Sequence, residues 1–397
     1  MKTALVLWGA TDFGAPHFSS DILWKTGFRA PDPFFLVETA GKVYVLVSAL
    51  EIGRAHKEAR GARAVLADAH GLVGFLKTRG IKKVMIPHGF PHGIARELGR
   101  TFRTDVHEGV VFAARIRKSK TEIVEITRVQ RAAEAALAEA MKFLSNATIR
   151  SGRIYPVRNP DDKTKTIASL YASKKEVSNG VYFKKRVVAS EDVRRIMEDV
   201  LWQEGCMASG TIVACGMQAS DPHCIGRGML EAHKPIVIDV FPVSRDSHYY
   251  ADMSRTIFKG EPAFGYAHMY EAVRSAQEAA IGMVRAGADG AAIHAAAAEH
   301  LESLGYQTYM RHARPEGFIH GLGHGVGIDI HEAPRLSARG DILEEGNVVT
   351  IEPGLYYTRA RKGIPAGGIR IEDMAVVRKN GCEMITRFPK DLKSMIL

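Results

Sequence analysis

Residues Pro235–Val243 read PIVIDVFPV, an apolar run with the length and composition of a buried strand, and Asp239 stands in its middle. A carboxylate in such a run is costly unless it is paired or bound to a metal. The anomaly recurs three times. Asp252 sits in YYADMSRTIF, Glu352 closes VVTIEPG where proline and glycine stop a strand, and Glu372 lies in GGIRIEDMAVV. Taken singly, each is explained as a salt bridge or a strand-end carboxylate. The runs around Asp239 and Asp252 can pair as a hairpin turning at Ser244–Ser247, which would bring those two acids together. Whatever fold the chain adopts has to neutralise all four.

A second stretch, Phe318–Pro334 (FIHGLGHGVGIDIHEAP), sets His320, His324 and His331 among glycines. Imidazole nitrogens are common neutral metal ligands, and glycine lets backbone and ligand approach closely. In an extended segment His320 and His324 fall on one side. Four acids together with a glycine-flanked histidine point to a metal site. Four ionised carboxylates side by side carry −4 and resist simultaneous ionisation. Two divalent cations and a bridging hydroxide bring the total to −1, whereas a single cation leaves −2, so the acid count favours two metals. Oxygen-rich ligation with one imidazole suits Mn²⁺, Co²⁺, Fe²⁺ or Zn²⁺. His88 and His92 in PHGFPHG resemble a second pair, but their proline–glycine setting reads as a turn with no acid joining it.

The chain's 397 residues predict two domains. Residues 1–118 alternate strand-like and helix-like segments, with a helix expected over 52–78, broken at Gly61 and Gly71. Thr121 opens an alanine-rich helix, Ser190 caps another, Asp289 caps a third that Gly305 ends, and Met269, Val273, Ala276, Ala280 and Met283 form one apolar stripe. Four cysteines without a CxxC pair read as reduced thiols of a cytoplasmic protein. The N-terminal MKTALVLWGA reads as a strand rather than a signal peptide, and no apolar run reaches membrane-spanning length. Net charge is +10, and residues 150–195 hold twelve Lys or Arg against five Asp or Glu. Lys174-Lys175 and Lys184-Lys185-Arg186 are its densest points. No nucleic-acid-binding signature accompanies the charge, so a solvated face is expected there and a nucleic-acid partner is not.

The order Asp, Asp, His, Glu, Glu in IVIDV, ADMSRT, GLGHGVG, TIEPG and RIED resembles the pita-bread metallopeptidases, among them Xaa-Pro aminopeptidase, prolidase and methionine aminopeptidase. The resemblance extends over nearly the whole chain and is most specific from Pro222 to Asp373. It implies a creatinase-type α/β N-terminal domain at 1–118 and an α+β pita-bread catalytic domain at 119–397, with the basic segment 150–188 a candidate insertion. It further implies five ligands for two divalent ions: Asp252 and Glu372 bridging, Asp239 completing one site, His324 and Glu352 the other. His223 in SDPHCIG would face the substrate, and His331 would steady the oxygen of a tetrahedral intermediate. His320 and Arg370 match pocket residues of the Xaa-Pro branch. Arg335 in HEAPRLS matches an arginine that receives a substrate carboxylate, with a surface role equally open. The two aspartates stand thirteen residues apart, two more than usual in the family hairpin. An even change keeps strand facing, so a longer turn with intact ligation is expected.

The implied reaction is hydrolysis of the bond between an N-terminal residue and a proline in second position, with Glu352 as general base and then acid. Within the resemblance, the residues 1–118 that precede the C-terminal half favour this branch over methionine aminopeptidase, which needs only that half. A homodimer is expected from the same resemblance. The alternatives are a non-catalytic binding protein on the same scaffold and an aminopeptidase of other N-terminal specificity.

Overall fold

The structure, a computed structural model, describes residues 1–67, 71–156, 187–310 and 315–397. The chain divides into two compact units, Met1–Arg115 and Ile116–Leu397. Most of the basic segment at 150–188, including Lys174-Lys175 and Lys184-Lys185-Arg186, lies outside the described residues.

In the first unit, alternation along the strands feeds two apolar layers. Ala4 and Val6 of β1 (Thr3–Gly9) join one cluster and Leu7 the other, because successive side chains leave opposite faces. The other strands are β2 (Phe34–Thr39), β3 (Lys42–Val47), β4 (Ala62–Leu66), β5 (Lys83–Ile86) and β6 (Arg103–Val106), in the order β4-β3-β2-β1-β5-β6. Helices α1 (Ser20–Thr26) and α2 (Ile52–Glu58) bury Ile22 and Ala55 in one layer, while α3 (Gly71–Thr78) and α4 (His92–Gly99) bury Phe75, Leu76 and Leu98 in the other. The stretch 52–78, expected as helix broken at Gly61 and Gly71, is two helices, and the piece between the breaks is a strand. Gly61 (φ 65°) and Gly71 (φ 50°) leave helical geometry, and β4 gains a parallel ladder with β3 that outweighs the helix propensity of its alanines.

The second unit begins with α5 (Lys120–Ser145), capped at Ser119. The Ser119 hydroxyl accepts from Glu122 N at 3.3 Å, and the Glu122 carboxylate accepts from Ser119 N at 2.7 Å. A hairpin of β7 (Thr148–Arg150) and β8 (Arg153–Tyr155) follows, then α6 (Ser190–Gln203). The cap of α6 is Ala189, one residue before the serine expected there. β9 (Cys206–Met207) pairs with β12 (Val243–Ser244), and β10 (Ile212–Cys215), β11 (Ile236–Val240) and β13 (Met253–Ile257) form an antiparallel sheet. Helices α7 (Phe264–Ile281) and α8 (Gly290–Ser303) come next, α8 capped by Asp289 accepting from Ala291 N at 2.8 Å. The remaining strands are β14 (Gly323–Gly325), β15 (Glu332–Leu336), β16 (Val348–Ile351), β17 (Gly354–Tyr357), β18 (Gly367–Arg370), β19 (Asp373–Arg378) and β20 (Gly381–Met384). They form a sheet in the order β15-β14-β16-β19-β20 and a separate β17-β18 pair.

Strand β13 shows how period two positions a site. Ser254 and Thr256 point one way; Arg255 points the other and is fully buried. Its guanidinium donates to Pro389 O (2.8 Å), Ser254 O (2.9 Å), Glu372 O (2.7 Å), Phe388 O (2.8 Å) and the Asp373 carboxylate (2.7 Å). Lys390 completes the Asp373 pair at 2.8 Å. Arg255 thus clamps β13 to the start of β19 from behind. Removing one partner of a buried pair leaves the other uncompensated, so Arg255→Met should cost about 3–5 kcal/mol, read as a lowered urea midpoint of unfolding.

Candidate metal centre

Register places the acids before any ligand is considered. Asp239 pairs with Ser254 across β11 and β13, so the two share a face, and Asp252 lies two residues before Ser254 on that same face. Arg370 and Glu372 share a face at i, i+2 where β18 leads into β19. The Ser254 hydroxyl joins the groups, accepting from Arg370 Nε at 2.8 Å and donating to Glu372 Oε2 at 3.0 Å. Glu352 follows β16 directly, and its N–H donates to Leu322 O at 2.7 Å. His324 is the central residue of β14, where Gly323 lets the strand approach its neighbour. A Cβ at Gly323 would lie 2.0 Å from Thr350 O.

Asp252, His324 and Glu372 each bring a ligand atom within 4.8 Å of the other two. Among the described residues no other cluster of three such side chains is found. Glu352 adjoins them, its Oε1 lying 3.5 Å from His324 Nε2. Asp239 is drawn to Arg370 at 2.7 Å. The longer hairpin between the aspartates carries β12 and a turn in which the Ser244 hydroxyl accepts from Asp246 N at 3.3 Å and Ser247 N at 3.1 Å. His88 is not free of acids as expected: Glu108 lies 3.4 Å away, with both side chains well exposed.

The tautomers follow from the acceptors. His324 Nδ1 faces Gly325 O at 3.1 Å, and a carbonyl can only accept, so Nδ1 carries the proton. Its Nε2 lone pair then points at Asp252 Oδ2 (3.7 Å) and Glu352 Oε1 (3.5 Å). Protonating Nε2 would relieve that conflict, yet burial and the neighbouring His331 pull the imidazole down to about 3. Burial, reinforced by the surrounding carboxylates, pushes Asp252 and Glu352 well above the usual carboxylate range, and lifts Glu372 to about 8. Asp239 Oδ1 and Glu372 Oε1 are buried and find no hydrogen-bond partner among the described residues. A lone pair aimed at two carboxylates, with two more carboxylate oxygens unpartnered, is the donor set of a cation site. The residues fit divalent metal.

Around this cluster the expected pocket residues separate into two groups. Arg370 is 3 % exposed, and its guanidinium is taken up by Asp239, Ser254, Tyr356 OH (3.0 Å) and Pro222 O (3.3 Å). His320 precedes β14 rather than sharing its strand. Its Nδ1 donates to Gly321 O at 2.7 Å, so its Nε2 accepts from Tyr356 OH at 2.9 Å. Burial and Arg370 lower this imidazole to about 4. His223, His331 and Arg335 are exposed. The His331 ring stands edge-on to His324 at 4.3 Å, and Arg335 lies directly across the ladder from His324. Ser254 and Tyr356 were not singled out from the sequence. Ser254 was accessible as the residue two beyond Asp252, and Tyr356 only through the fold.

The profile of the metallopeptidase family M24 matches residues 124–379, well over half the chain. The chain belongs to metallopeptidase family M24. Membership implies bound divalent metal, in keeping with the donor set above. The chain is 35% identical over 187 residues to Xaa-Pro dipeptidase of Pyrococcus furiosus, covering 47% of this chain and 49% of that protein. It is 29% identical over 261 residues to the uncharacterized peptidase YqhT of Bacillus subtilis, covering 62% and 69%. The matched stretch thus spans about half the length of the dipeptidase. Among solved structures, the Xaa-Pro dipeptidase from Bacillus anthracis superposes with a TM-score of 0.77 at 23% identity, over 100% of this chain and 95% of that one. The X-Pro aminopeptidase from Thermotoga maritima gives 0.75 at 22% identity, over 100% and 98%. The expected architecture, an α/β N-terminal part and an α+β pita-bread part, is the fold these enzymes share. No helix among the described residues is long and apolar enough to cross a membrane.

Tyr356 OH donates to His320 and accepts from Arg370 in a buried position, so Tyr356→Phe leaves both partners unsatisfied. The loss should be about 1–3 kcal/mol of stability, measured by urea unfolding.

Proposed function

We propose that the protein is a dinuclear metal-dependent Xaa-Pro peptidase, hydrolysing the bond between an N-terminal residue and proline. The observation that carries this is the His324 Nε2 lone pair directed at Asp252 and Glu352 beside the Glu372 carboxylate. Asp239, Asp252, His324, Glu352 and Glu372 would hold two ions drawn from Mn²⁺, Co²⁺, Zn²⁺ or Fe²⁺. Ions bound there supply an acidified water and polarise the scissile carbonyl. Similarity to Xaa-Pro dipeptidases supports the choice of substrate.

Each side chain then has a task. Glu352, at the end of β16, takes a proton from the attacking water and returns it to the leaving nitrogen. His331 and His223, both exposed beside the cluster, donate to the oxyanion as it develops. The free amino terminus is held near Asp239. Arg370 is engaged on all sides by protein groups, so its part is to orient Asp239 rather than to meet the substrate. Arg335, exposed and across from His324, receives a substrate carboxylate. His320 lines the pocket while held by Tyr356. A homodimer is expected from the resemblance, and light scattering on the purified protein would test it.

Purified protein should contain divalent metal and cleave Ala-Pro or Ala-Pro-Ala, and chelation should abolish turnover until metal is restored. Cleavage of the dipeptide alone assigns a dipeptidase. Glu352→Gln should lower kcat by about 10²–10⁴-fold with the fold kept by circular dichroism. Full activity in that variant removes Glu352 from the role of base, whereas a metal-free protein inert toward both peptides after Mn²⁺ or Co²⁺ addition removes this reading and favours a non-catalytic binder.

A further inference from the structure

The arch Gly327–Glu332 carries His331, and two fastenings are among the contacts that hold it. The first is main chain: Tyr250 N donates to Gly327 O at 2.8 Å. The second is ionic. The Glu332 carboxylate receives the ammonium of Lys118, a lysine side chain only 1% exposed. Lys118 is itself fixed, its N–H donating to Gly346 O at 2.8 Å and its ammonium also reaching Ile116 O at 3.3 Å. Gly327 makes the arrangement possible, because a Cβ there would lie 2.6 Å from both Glu332 carboxylate oxygens. Glu332 is the first residue of β15 and pairs with Gly325, next to His324.

Position along the chain gives this pair its meaning. Glu332 follows His331 directly, so pinning the Glu332 side chain limits where the His331 backbone can go. His331 has no ladder of its own to hold it, and β14 and β15 shift register at His324/Gly325, close to the arch. The two fastenings therefore help to hold the 4.3 Å, 82° contact between His331 and His324, beside the hydrogen bond of the Ile330 backbone to His324. An ammonium buried against the Glu332 carboxylate favours the seat of the arch in which the two charges stay paired.

We propose that Lys118 is a positioning residue for His331: through Glu332 it holds that imidazole edge-on to His324 at the metal cluster. The proposal rests on reading His331 as a substrate-facing group. Lys118 acts on His331 through the Glu332 carboxylate with which it pairs.

The test uses the full chain with ¹³C-labelled histidine, as wild type and as Lys118→Met, Lys118→Arg and the double variant Lys118→Met/Glu332→Gln. The double variant removes the stranded carboxylate, so it keeps the fold where the single variant loses it. The His331 imidazole signal is identified by its disappearance in His331→Gln. In both Lys118→Met proteins it should shift or broaden while the His300 signal, far along α8, stays in place. Lys118→Arg should bring it back toward its wild-type position. On Ala-Pro, kcat should fall about 10- to 100-fold in the Lys118→Met proteins, while KM changes by less than about threefold. A double variant with the wild-type His331 signal overturns the proposal, as does one whose unfolding midpoint drops while signal and kcat hold. If wild-type protein leaves Ala-Pro uncleaved, the proposed reaction fails, and the imidazole spectrum still decides the role of Lys118.

Discussion

A lone pair directed at two carboxylate oxygens is repulsive, and the second unit is built to keep it so. His324 cannot turn away, because its Nδ1 proton is committed to Gly325 O and its strand is pressed against β16 at Gly323. Asp252 cannot retreat, because it sits on the strand face that also carries Asp239 and Ser254. Glu352 is tied by its own N–H to Leu322 O. The conflict is relieved by positive charge placed among these groups, and that requirement accounts for the burial, the raised carboxyl groups and the neutral imidazole together.

Three buried cations serve the arrangement from different distances. Arg370 lies in the cluster and holds Asp239, whose second oxygen has no partner among the described residues. Arg255 lies on the opposite face of β13 and holds the strands. Lys118 lies beyond the histidine arch and is paired with its base. Burial of each is tolerated because each meets an acid, and the geometry around each is the more rigid for it.

The site was more legible in sequence than the fold around it. Acids in apolar strands stand out in one dimension because the cost of burying them is a property of the residue and its neighbours. The α/β character of the first unit was readable from alternating segments, but β4 was not. ARAVL has the alanines of a helix, and only its pairing with β3 makes it a strand. His320 and His324 would share a face only in an extended segment, and His320 lies before β14, turned toward Tyr356. Tyr356, Lys118 and Glu332 act through partners 14 to 214 positions away, and no local pattern marks such a residue. Whether Arg370 meets the peptide or the protein was likewise undecidable from spacing, and depends on how completely its donors are occupied.

The grip of Arg255 has a consequence for how this half of the molecule can change over generations. Four of its partners are carbonyl oxygens, of Ser254, Glu372, Phe388 and Pro389, which every amino acid supplies alike. Substitution at those positions alters what surrounds the clamp without altering what it grasps. Relatives can therefore drift widely in the composition of this layer while the spacing between the two acid-bearing strands stays the same.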